Sequence, residues 1–428
     1  MSPPSASLVE SARFNSLVIV PNALQGLFRR RRQAVRAATA ANVDGLAVGL
    51  LSGMRDRHDG GPVWVRVMTD RALLLLTPAD AHRALQGSPE PFAPDPEGKR
   101  KGMVAFQPDA LTISRDGIWR NRRDFTEAVL DTGEPLHRLS DRFAAVAREE
   151  AGALAREVGS GELCWDDWQR AFRRLARRVA LGDAARSDDE LTEELAAMMD
   201  EANGMPGKPS ERYPAFAARL RAYVDARDED ALVGSFGQAP HGEETRVEGQ
   251  LPHWLFATHD TLAINAYRAL AAIAAHPRAR ARVTEEGYLE ACLSDAMRLW
   301  PTTPMLSRVT LAETDWRGVT VPGGTQVLIV NTFLHRDRER IPYADRFSPE
   351  QWVDGDAAER LEFNHFSRGP QGCPGANLAL FLGKEVLASL IGDREVEAVS
   401  SPLDPNRPMP HMLDFHSLRF RLGPGARA

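Results

Sequence analysis

The chain has 428 residues, of which 43% are hydrophobic and 26% charged, so it can bury a large globular core. Its formal net charge of -6 disfavours nucleic acid as a partner. Its 3 cysteines, Cys164, Cys292 and Cys373, lie far apart and form no CxxC pair, which disfavours a disulfide framework and a zinc site.

The N-terminal segment does not have the features of a signal peptide. "MSPPSASLVESARFN" lacks a basic region and a small-residue cleavage site. The apolar run that follows is broken by Pro21 and Asn22 and is too short to span a bilayer. We therefore expect a soluble, cytoplasmic protein with no membrane span. Residues 1–40 are predicted to be an N-terminal extension, and residues 41–428 a single domain.

Helical periodicity dominates along the chain, with apolar residues three and four positions apart in residues 141–161, 188–204 and 261–277. Each of these stretches ends at a Gly or Pro. Strand-like patterns are short and cover residues 61–69, 315–330 and 416–423; in the middle one, "PGG" predicts a hairpin turn. Residues 88–110 and 203–214 are rich in Pro and Gly and are predicted to be long loops. The predicted fold class is mainly α with small β-sheets (α+β).

The stretch "FSRGPQGCPGANLA" places Cys373 among three glycines and two prolines. Glycine permits left-handed backbone and close approach of a flat ligand. The apolar spacing that follows predicts a helix starting just after the cysteine, and the positive end of a helix favours a thiolate. A lone cysteine is most often a buried free thiol, but this frame suits an axial metal ligand or a nucleophile.

Four positions in this stretch carry a family resemblance. Phe366, Gly369, Cys373 and Gly375 fit F-x-x-G-x-x-x-C-x-G, which resembles the haem-ligand loop of the cytochrome P-450 family, and of its soluble bacterial type. The resemblance implies that family's fold, with a long central helix over the haem and the cysteine loop beneath it. It also implies haem b (iron protoporphyrin IX) as cofactor, with the Cys373 thiolate as axial ligand of the iron.

Two upstream segments extend the resemblance. "LSDAMRLWPTTPMLSRV" is similar to a helix in which the family has Glu-x-x-Arg; here Asp295 and Arg298 stand at these positions. "FSPEQW" is similar to F-x-P-E-R-F, with Gln351 in place of the arginine. In the family these three side chains lock the helix to the loop approaching the haem, so the resemblance gives Asp295, Arg298 and Gln351 a structural role. The shorter acid and the uncharged amide alter that lock.

"WLFATHDTLAINAYRAL" resembles the helix that crosses the distal face of the haem. The family has Ala-Gly-x-Asp/Glu-Thr, and this chain has Ala257-Thr258-His259-Asp260-Thr261. The resemblance assigns the catalytic role to Asp260 and Thr261, which would hold water and relay protons to dioxygen. Thr258 replaces the glycine, which leaves the local opening of the helix undecided.

Further matches concern the haem propionates. Trp119 and Arg123 match the family's Trp-x-x-x-Arg, and Arg308 matches a second propionate arginine. Two positions before the cysteine, where the family usually has Arg or His, the chain has Gln371. Glutamine can still donate a hydrogen bond, but without charge assistance.

By the same resemblance, seven residues are predicted to contact the substrate: Phe106, Leu111, Phe256, Ala257, Thr303, Met305 and Met412. Their mixed apolar and aromatic character suits a neutral or amphipathic organic compound.

The resemblance implies a haem-thiolate monooxygenase that inserts one oxygen atom from O2 into a small or medium-sized organic substrate, by hydroxylation or epoxidation, in specialised metabolism. The sequence has no flavin, nicotinamide or iron–sulfur motif, so a ferredoxin and a ferredoxin reductase are the expected electron donors. A basic set is a candidate docking site for the acidic ferredoxin, with an ordinary solvated face as the alternative: Arg120, Arg122, Arg123, Arg368 and Lys384. Two other functions stay open. One is peroxide-driven oxidation, oxidative coupling or rearrangement on the same scaffold; the other is a non-catalytic haem-binding partner protein.

Overall fold

The structure, a computed structural model, describes residues 3–392 and 394–424. The chain divides into two compact units. Unit 1 takes the ranges Met1–Arg100, Met297–Cys373 and Pro408–Asp414, and unit 2 takes Lys101–Ala296, Pro374–Arg407 and Phe415–Ala428.

Unit 1 is built on a five-stranded mixed sheet. Its strands lie in the order Val63–Val67, Asp70–Leu75, Gln326–Val330, Met305–Thr310, Phe92–Ala93. The second and third strands are parallel, and the other neighbours are antiparallel. The runs "ALLLL" and "VLIV" are buried because both strands lie in the interior of the sheet. Phe14 and Val18, from the N-terminal segment, belong to the same buried hydrophobic cluster as these strands.

Unit 1 also contains helices. They are Leu8–Phe14, Asn15–Ile19 (π-helical), Val20–Gln25, Arg32–Ala40, Val43–Arg57, Pro78–Gln86, Asn331–Leu334 and Glu350–Val353, with a small hairpin of strands Thr314–Asp315 and Thr320–Val321. The helices Glu97–Met103 and Tyr288–Leu299 each run across a boundary in sequence between the two units.

Unit 2 is mainly helical. Its helices are Asp116–Leu130, Ser140–Val158, Trp165–Leu181, Asp189–Ala202, Tyr213–Ala226, Leu251–Phe256, Ala257–Leu262 (π-helical), Ala263–Ala275, Pro277–Arg280 and Ala376–Ile391. Strand Arg419–Leu422 lies between Glu162–Leu163 and Val396–Ser400 in a three-stranded antiparallel sheet. The prediction of a mainly α fold with small β-sheets is confirmed.

Helix ends follow the local signals in the sequence. The Ser140–Val158 helix ends at Gly159, which adopts a φ of +53°. The Asp189–Ala202 helix begins with the Asp188 side chain accepting a hydrogen bond from the Leu191 N–H.

Two predictions about local structure are wrong. "PGG" does not turn a hairpin: the hairpin is closed earlier, by hydrogen bonds between Trp316 and Val319, and strand Gln326–Val330 pairs instead with Asp70–Leu75 and Met305–Thr310. Residues 88–110 are not a structureless loop, because they contain strand Phe92–Ala93 and helix Glu97–Met103.

In the part of the chain that the structure describes, no single helix has both the length and the apolar character to cross a membrane. One bent pair, Arg32–Ala40 with Val43–Arg57, meets that test together.

Candidate functional site

The cysteine loop of unit 1 (residues 366–373) has a backbone that favours glycine at position 369. Gly369 adopts a φ of +68°, and a Cβ there would lie 2.5 Å from the Leu85 carbonyl oxygen. The Cys373 N–H donates to the Phe366 carbonyl at 2.8 Å, which closes the loop. The Cys373 side chain is exposed. The loop therefore presents its thiol from a constrained turn against helix Pro78–Gln86, and the next helix begins at Ala376.

Arg308 is buried beside this loop. Its guanidinium donates to Ser367 Oγ at 3.1 Å, to Ser88 Oγ at 3.1 Å and to the Ser307 carbonyl at 2.9 Å. Among the residues described, no carboxylate pairs with it. Burial lowers the pKa of Arg308 to about 10. Gln371 lies in the 3-10 turn of the same loop, and its Nε2 is buried without an acceptor in the described chain.

Arg298 is anchored to the backbone within unit 1. Its guanidinium donates to the carbonyls of Ala344, at 2.9 Å, and Arg346, at 2.6 Å. His335 accepts the Asn364 N–H through Nε2 and places Nδ1 3.2 Å from the Arg298 carbonyl, so Nδ1–H is the donor there. Burial is the main cause that holds the pKa of His335 well below its usual range, which keeps this ring neutral. These contacts suit the structural role predicted for Arg298.

The partners predicted for Arg298 lie at different depths. Asp295 is fully buried, and Gln351 is half-buried in the short helix Glu350–Val353. That these two side chains hold the helix to the loop approaching the haem remains a prediction.

In unit 2, residues 251–275 form one helical run with a π-helical insertion over Ala257–Leu262. Thr258 Oγ1 donates to the Trp254 carbonyl at 2.9 Å, at the entry to the insertion. Asp260 is buried and Thr261 is half-buried, both within the insertion. The helix thus opens without the glycine of the family pattern, and the adjacent acid and alcohol lie in its irregular turn.

The predicted propionate ligands Trp119 and Arg123 share the helix Asp116–Leu130 of unit 2. The Trp119 indole N–H is buried and has no acceptor in the described chain. Arg123 Nε donates to Glu127 Oε1 at 2.6 Å, one turn later. The segment after the cysteine is tied to the end of this helix: Thr132 Oγ1 donates to the Pro374 carbonyl at 2.7 Å, and a Cβ on Gly375 would lie 3.5 Å from Leu130.

The seven predicted substrate residues fall into both units. In unit 2, the Phe106 and Phe256 rings meet edge to face with centroids 5.9 Å apart, Ala257 begins the π-helical insertion, and the Leu111 N–H donates to Gln250 Oε1 at 3.0 Å. In unit 1, Thr303 is exposed, whereas Met305 and Met412 are half-buried. Their contact with substrate remains a prediction.

Two of the basic residues predicted to dock the ferredoxin are not free surface charges. Arg122 is buried, donating to Ser114 Oγ at 2.7 Å and to Asp109 at 3.2 Å, so it cannot be part of an exposed basic surface. Lys384 lies 3.4 Å from Glu290 and 3.3 Å from Glu385, which reduces its attraction for an acidic partner.

Sequence reasoning missed the residues that hold Arg308. Ser88 and Ser367 come from segments 279 positions apart, and neither matches a family position. No signal in the sequence links them, because the link depends on how the cysteine loop packs against helix Pro78–Gln86.

Comparisons with known proteins bear on this arrangement. Residues 242–422 match the family model described as Cytochrome P450. "Cyclooctat-9-en-7-ol 5-monooxygenase" of Streptomyces melanosporofaciens is 27% identical over 60% of this chain and 61% of its own length. "Cytochrome P450 4c3" of Drosophila melanogaster is 28% identical over 42% of this chain and 37% of its own length. The chain thus spans less than two thirds of each of these relatives.

A solved structure shares the fold. "Retinoic acid bound cyanobacterial CYP120A1" superposes with a TM-score of 0.69 over 87% of this chain and 93% of that chain, at 20% identity. This likeness shows the fold alone. Residues 242–422 are therefore similar to the cytochrome P450 family, and the two relatives are similar to this chain over 60% or less of its length.

Proposed function

We propose that the protein is a haem-thiolate monooxygenase that inserts one oxygen atom from O2 into a small or medium-sized organic substrate, with Cys373 as the iron ligand. The observation that carries the proposal is the cysteine loop. Its positive-φ glycine packs against backbone, its Cys373 N–H is fixed on the Phe366 carbonyl, and its thiol is exposed.

The residues present fit a haem. The Trp119 indole N–H and Gln371 Nε2 are buried donors without acceptors in the described chain, and buried Arg308 pairs with no carboxylate there. Buried polar groups are normally hydrogen-bonded, and buried charges are normally paired. The two propionates of haem b would supply acceptors and negative charge for such groups. We assign Trp119, Arg123, Arg308 and Gln371 to them.

Bound haem with a thiolate ligand supplies electron-rich iron that favours O–O cleavage. The chain's own contribution is proton delivery. Asp260 and Thr261 are adjacent in a π-helical turn, where helix geometry departs from the regular hydrogen-bond ladder. We assign Thr261 to orient water through its hydroxyl and Asp260 to supply the proton.

We further propose a cytoplasmic location, with a ferredoxin and its reductase as electron donors and a role in specialised metabolism. The chain's sequence motifs offer no flavin or iron–sulfur site of its own. Cyclooctat-9-en-7-ol and retinoic acid, named for two similar proteins, are the first compounds to screen as substrates.

The test is the absorption spectrum of the reduced, carbon monoxide-bound protein, followed by turnover with a surrogate ferredoxin and reductase. A thiolate red shift of the Soret band, with product that needs O2 and reductant, supports the proposal. A Soret band without that shift refutes it. Product from peroxide alone favours peroxide-driven chemistry, and spectral binding of substrate without any product favours a haem-binding partner protein.

A further inference from the structure

An exposed apolar face runs along the first helices of unit 1. Residues 8–25 form one helical run with a π-helical turn in its middle. The inward side of the run is buried at Phe14 and Val18, which belong to the hydrophobic cluster of the five-stranded sheet. Its outward side is exposed at positions spaced four apart, which are Leu8, Ala12, Ser16, Val20 and Leu24.

The large apolar side chains on this outward side are in contact with solvent. They are between 38% and 79% exposed, and they comprise Leu8, Val9, Val20, Leu24 and, just after the run, Leu27. Five of the twelve large hydrophobic side chains that are exposed in the described chain therefore fall within twenty residues. Single exposed hydrophobic residues are ordinary, whereas a concentration of them along one helix marks a binding surface.

The exposed charges beside this face are basic. Arg13 is the one charged residue at an exposed position of the run. The one acidic residue of the run, Glu10, is half-buried and accepts from Arg57 Nε at 2.8 Å. Arg31 and Arg36, which follow the run, are also exposed. Basic residues next to an apolar face favour an anionic partner.

The turn after the run brings Arg31 back to its end. The Arg31 N–H donates to the Gln25 carbonyl at 2.8 Å, and the Arg31 guanidinium donates to the Leu24 carbonyl at 3.4 Å. Arg36 lies about one turn into the helix Arg32–Ala40, which starts at this point. Positive charge thus lies directly beside the exposed leucines.

The run is fixed on unit 1. Asn15 Nδ2 donates to the Arg66 carbonyl at 2.7 Å, and Asn15 Oδ1 accepts the Met68 N–H at 2.9 Å. These bonds tie the π-helical turn to the end of the first strand and to the turn after it, where Met68 is also exposed. A helix that is already ordered loses little conformational entropy when its outer face binds.

We propose that the exposed face of residues 8–27 binds an anionic lipid surface, with its leucine and valine side chains among the headgroups and Arg13, Arg31 and Arg36 near the lipid phosphates. A helix that lies in the plane of a membrane needs an apolar face and basic residues beside it, and it needs no full span. The face is the outer side of a helix, about 24 Å long from Leu8 to Leu24 at 1.5 Å per residue, so it suits a flat bilayer better than a protein partner. Such binding is peripheral, is compatible with the proposed cytoplasmic location and does not depend on the proposed haem chemistry.

The test is cosedimentation of the full chain with vesicles of phosphatidylcholine, alone or mixed with phosphatidylglycerol. The parent protein should bind the mixed vesicles and should bind them less tightly at about 1 M than at about 0.1 M salt, because salt screens the arginines. Leu8→Gln with Leu24→Gln should weaken binding about tenfold or more, since two apolar side chains leave the lipid. Arg13→Gln and Arg36→Gln should each weaken binding to the mixed vesicles about fivefold.

Leu136→Gln is the matched control, because Leu136 is a similarly exposed leucine outside this face. It should bind vesicles as the parent does, and all variants should keep the parent's thermal unfolding midpoint. Equal binding to both kinds of vesicle, no binding to either, or equal losses in Leu136→Gln and the double leucine variant would overturn the proposal. A dimer without vesicle binding, abolished by the double leucine variant, would assign the face to a second copy of this chain instead.

Discussion

At the scale of single residues, the cysteine loop depends on Gly369. Its φ of +68° disfavours any side chain, and a Cβ would also press on the Leu85 carbonyl oxygen at 2.5 Å and on Gln86 Cα at 2.9 Å. Because backbone cannot give way as a flexible side chain can, we expect Gly369→Ala to lower the free energy of unfolding by about 3 kcal/mol, the upper end for backbone strain. Urea denaturation of the parent and the variant measures this.

Gly324→Ala is the matched control for that change. Gly324 has a similar φ of +79° but open space around its Cβ position. We therefore expect Gly324→Ala to lower the free energy of unfolding by about 1 kcal/mol, through the unfavourable backbone conformation alone. Equal losses in the two variants would contradict the role given to the contact with helix Pro78–Gln86.

Residue identities in the cysteine loop were predictable, whereas their partners were not. The glycine spacing around Cys373 gives a local reason for a left-handed turn, and Gly369 adopts it. The Arg308 contacts with Ser88 and Ser367 arise from packing of distant segments.

At the scale of elements, the π-helical insertion is held by a residue that breaks the family pattern. Thr258 Oγ1 donates to the Trp254 carbonyl at 2.9 Å. Thr258→Val keeps the shape and removes the hydroxyl, so we expect the free energy of unfolding to fall by about 1 kcal/mol. Thr258→Ser, which keeps the donor, should stay closer to the parent. A stable Thr258→Val variant would show that the insertion does not need this bond.

The same insertion carries the proposed proton relay, which Thr261→Ala tests. The variant should keep the thiolate spectrum, because Thr261 is not a haem ligand. It should form at least about tenfold less product per reductant consumed, with hydrogen peroxide made instead, since a positioned proton donor contributes roughly 10²–10⁴-fold. Product and peroxide are measured against reductant consumption. Thr261→Ser retains the hydroxyl and should restore coupling; unchanged coupling in Thr261→Ala would refute the relay.

Elements were predictable where their signals are local. Helix Ser140–Val158 ends at Gly159, and helix Asp189–Ala202 begins at the Asp188 cap, as the local sequence indicates. The prediction of a hairpin at "PGG" was wrong because strand Gln326–Val330 pairs with strands distant in sequence. No local pattern encodes such pairing. The π-helical insertion shares the apolar spacing of an α-helix, so periodicity alone did not reveal it.

At the scale of the whole molecule, acid stability depends on a buried carboxylate in unit 2. Glu150 is 1% exposed and accepts from Arg174 Nε at 2.7 Å, Arg178 at 2.9 Å and Arg186 Nε at 2.7 Å. Burial alone would raise the pKa of Glu150, but hydrogen bonds from these three arginines outweigh it and lower the pKa. The carboxylate therefore joins helices Ser140–Val158 and Trp165–Leu181 as a charged group.

This lowered pKa determines how the stability of the protein changes with pH. The stabilisation by Glu150 is complete above the pKa of the unfolded chain, about 4.3, and is lost as the pH falls through the lower pKa of the folded state. Glu150→Gln should lower the free energy of unfolding at pH 7 by about 3 kcal/mol, because it leaves buried arginines short of a counter-charge. It should also flatten the stability profile below about pH 4.3. Glu149→Gln removes an exposed partner of Arg178 only and should cost less than about 1 kcal/mol. Denaturant titrations from pH 7 to pH 3 measure both, and equal losses in the two variants would refute the central place of Glu150.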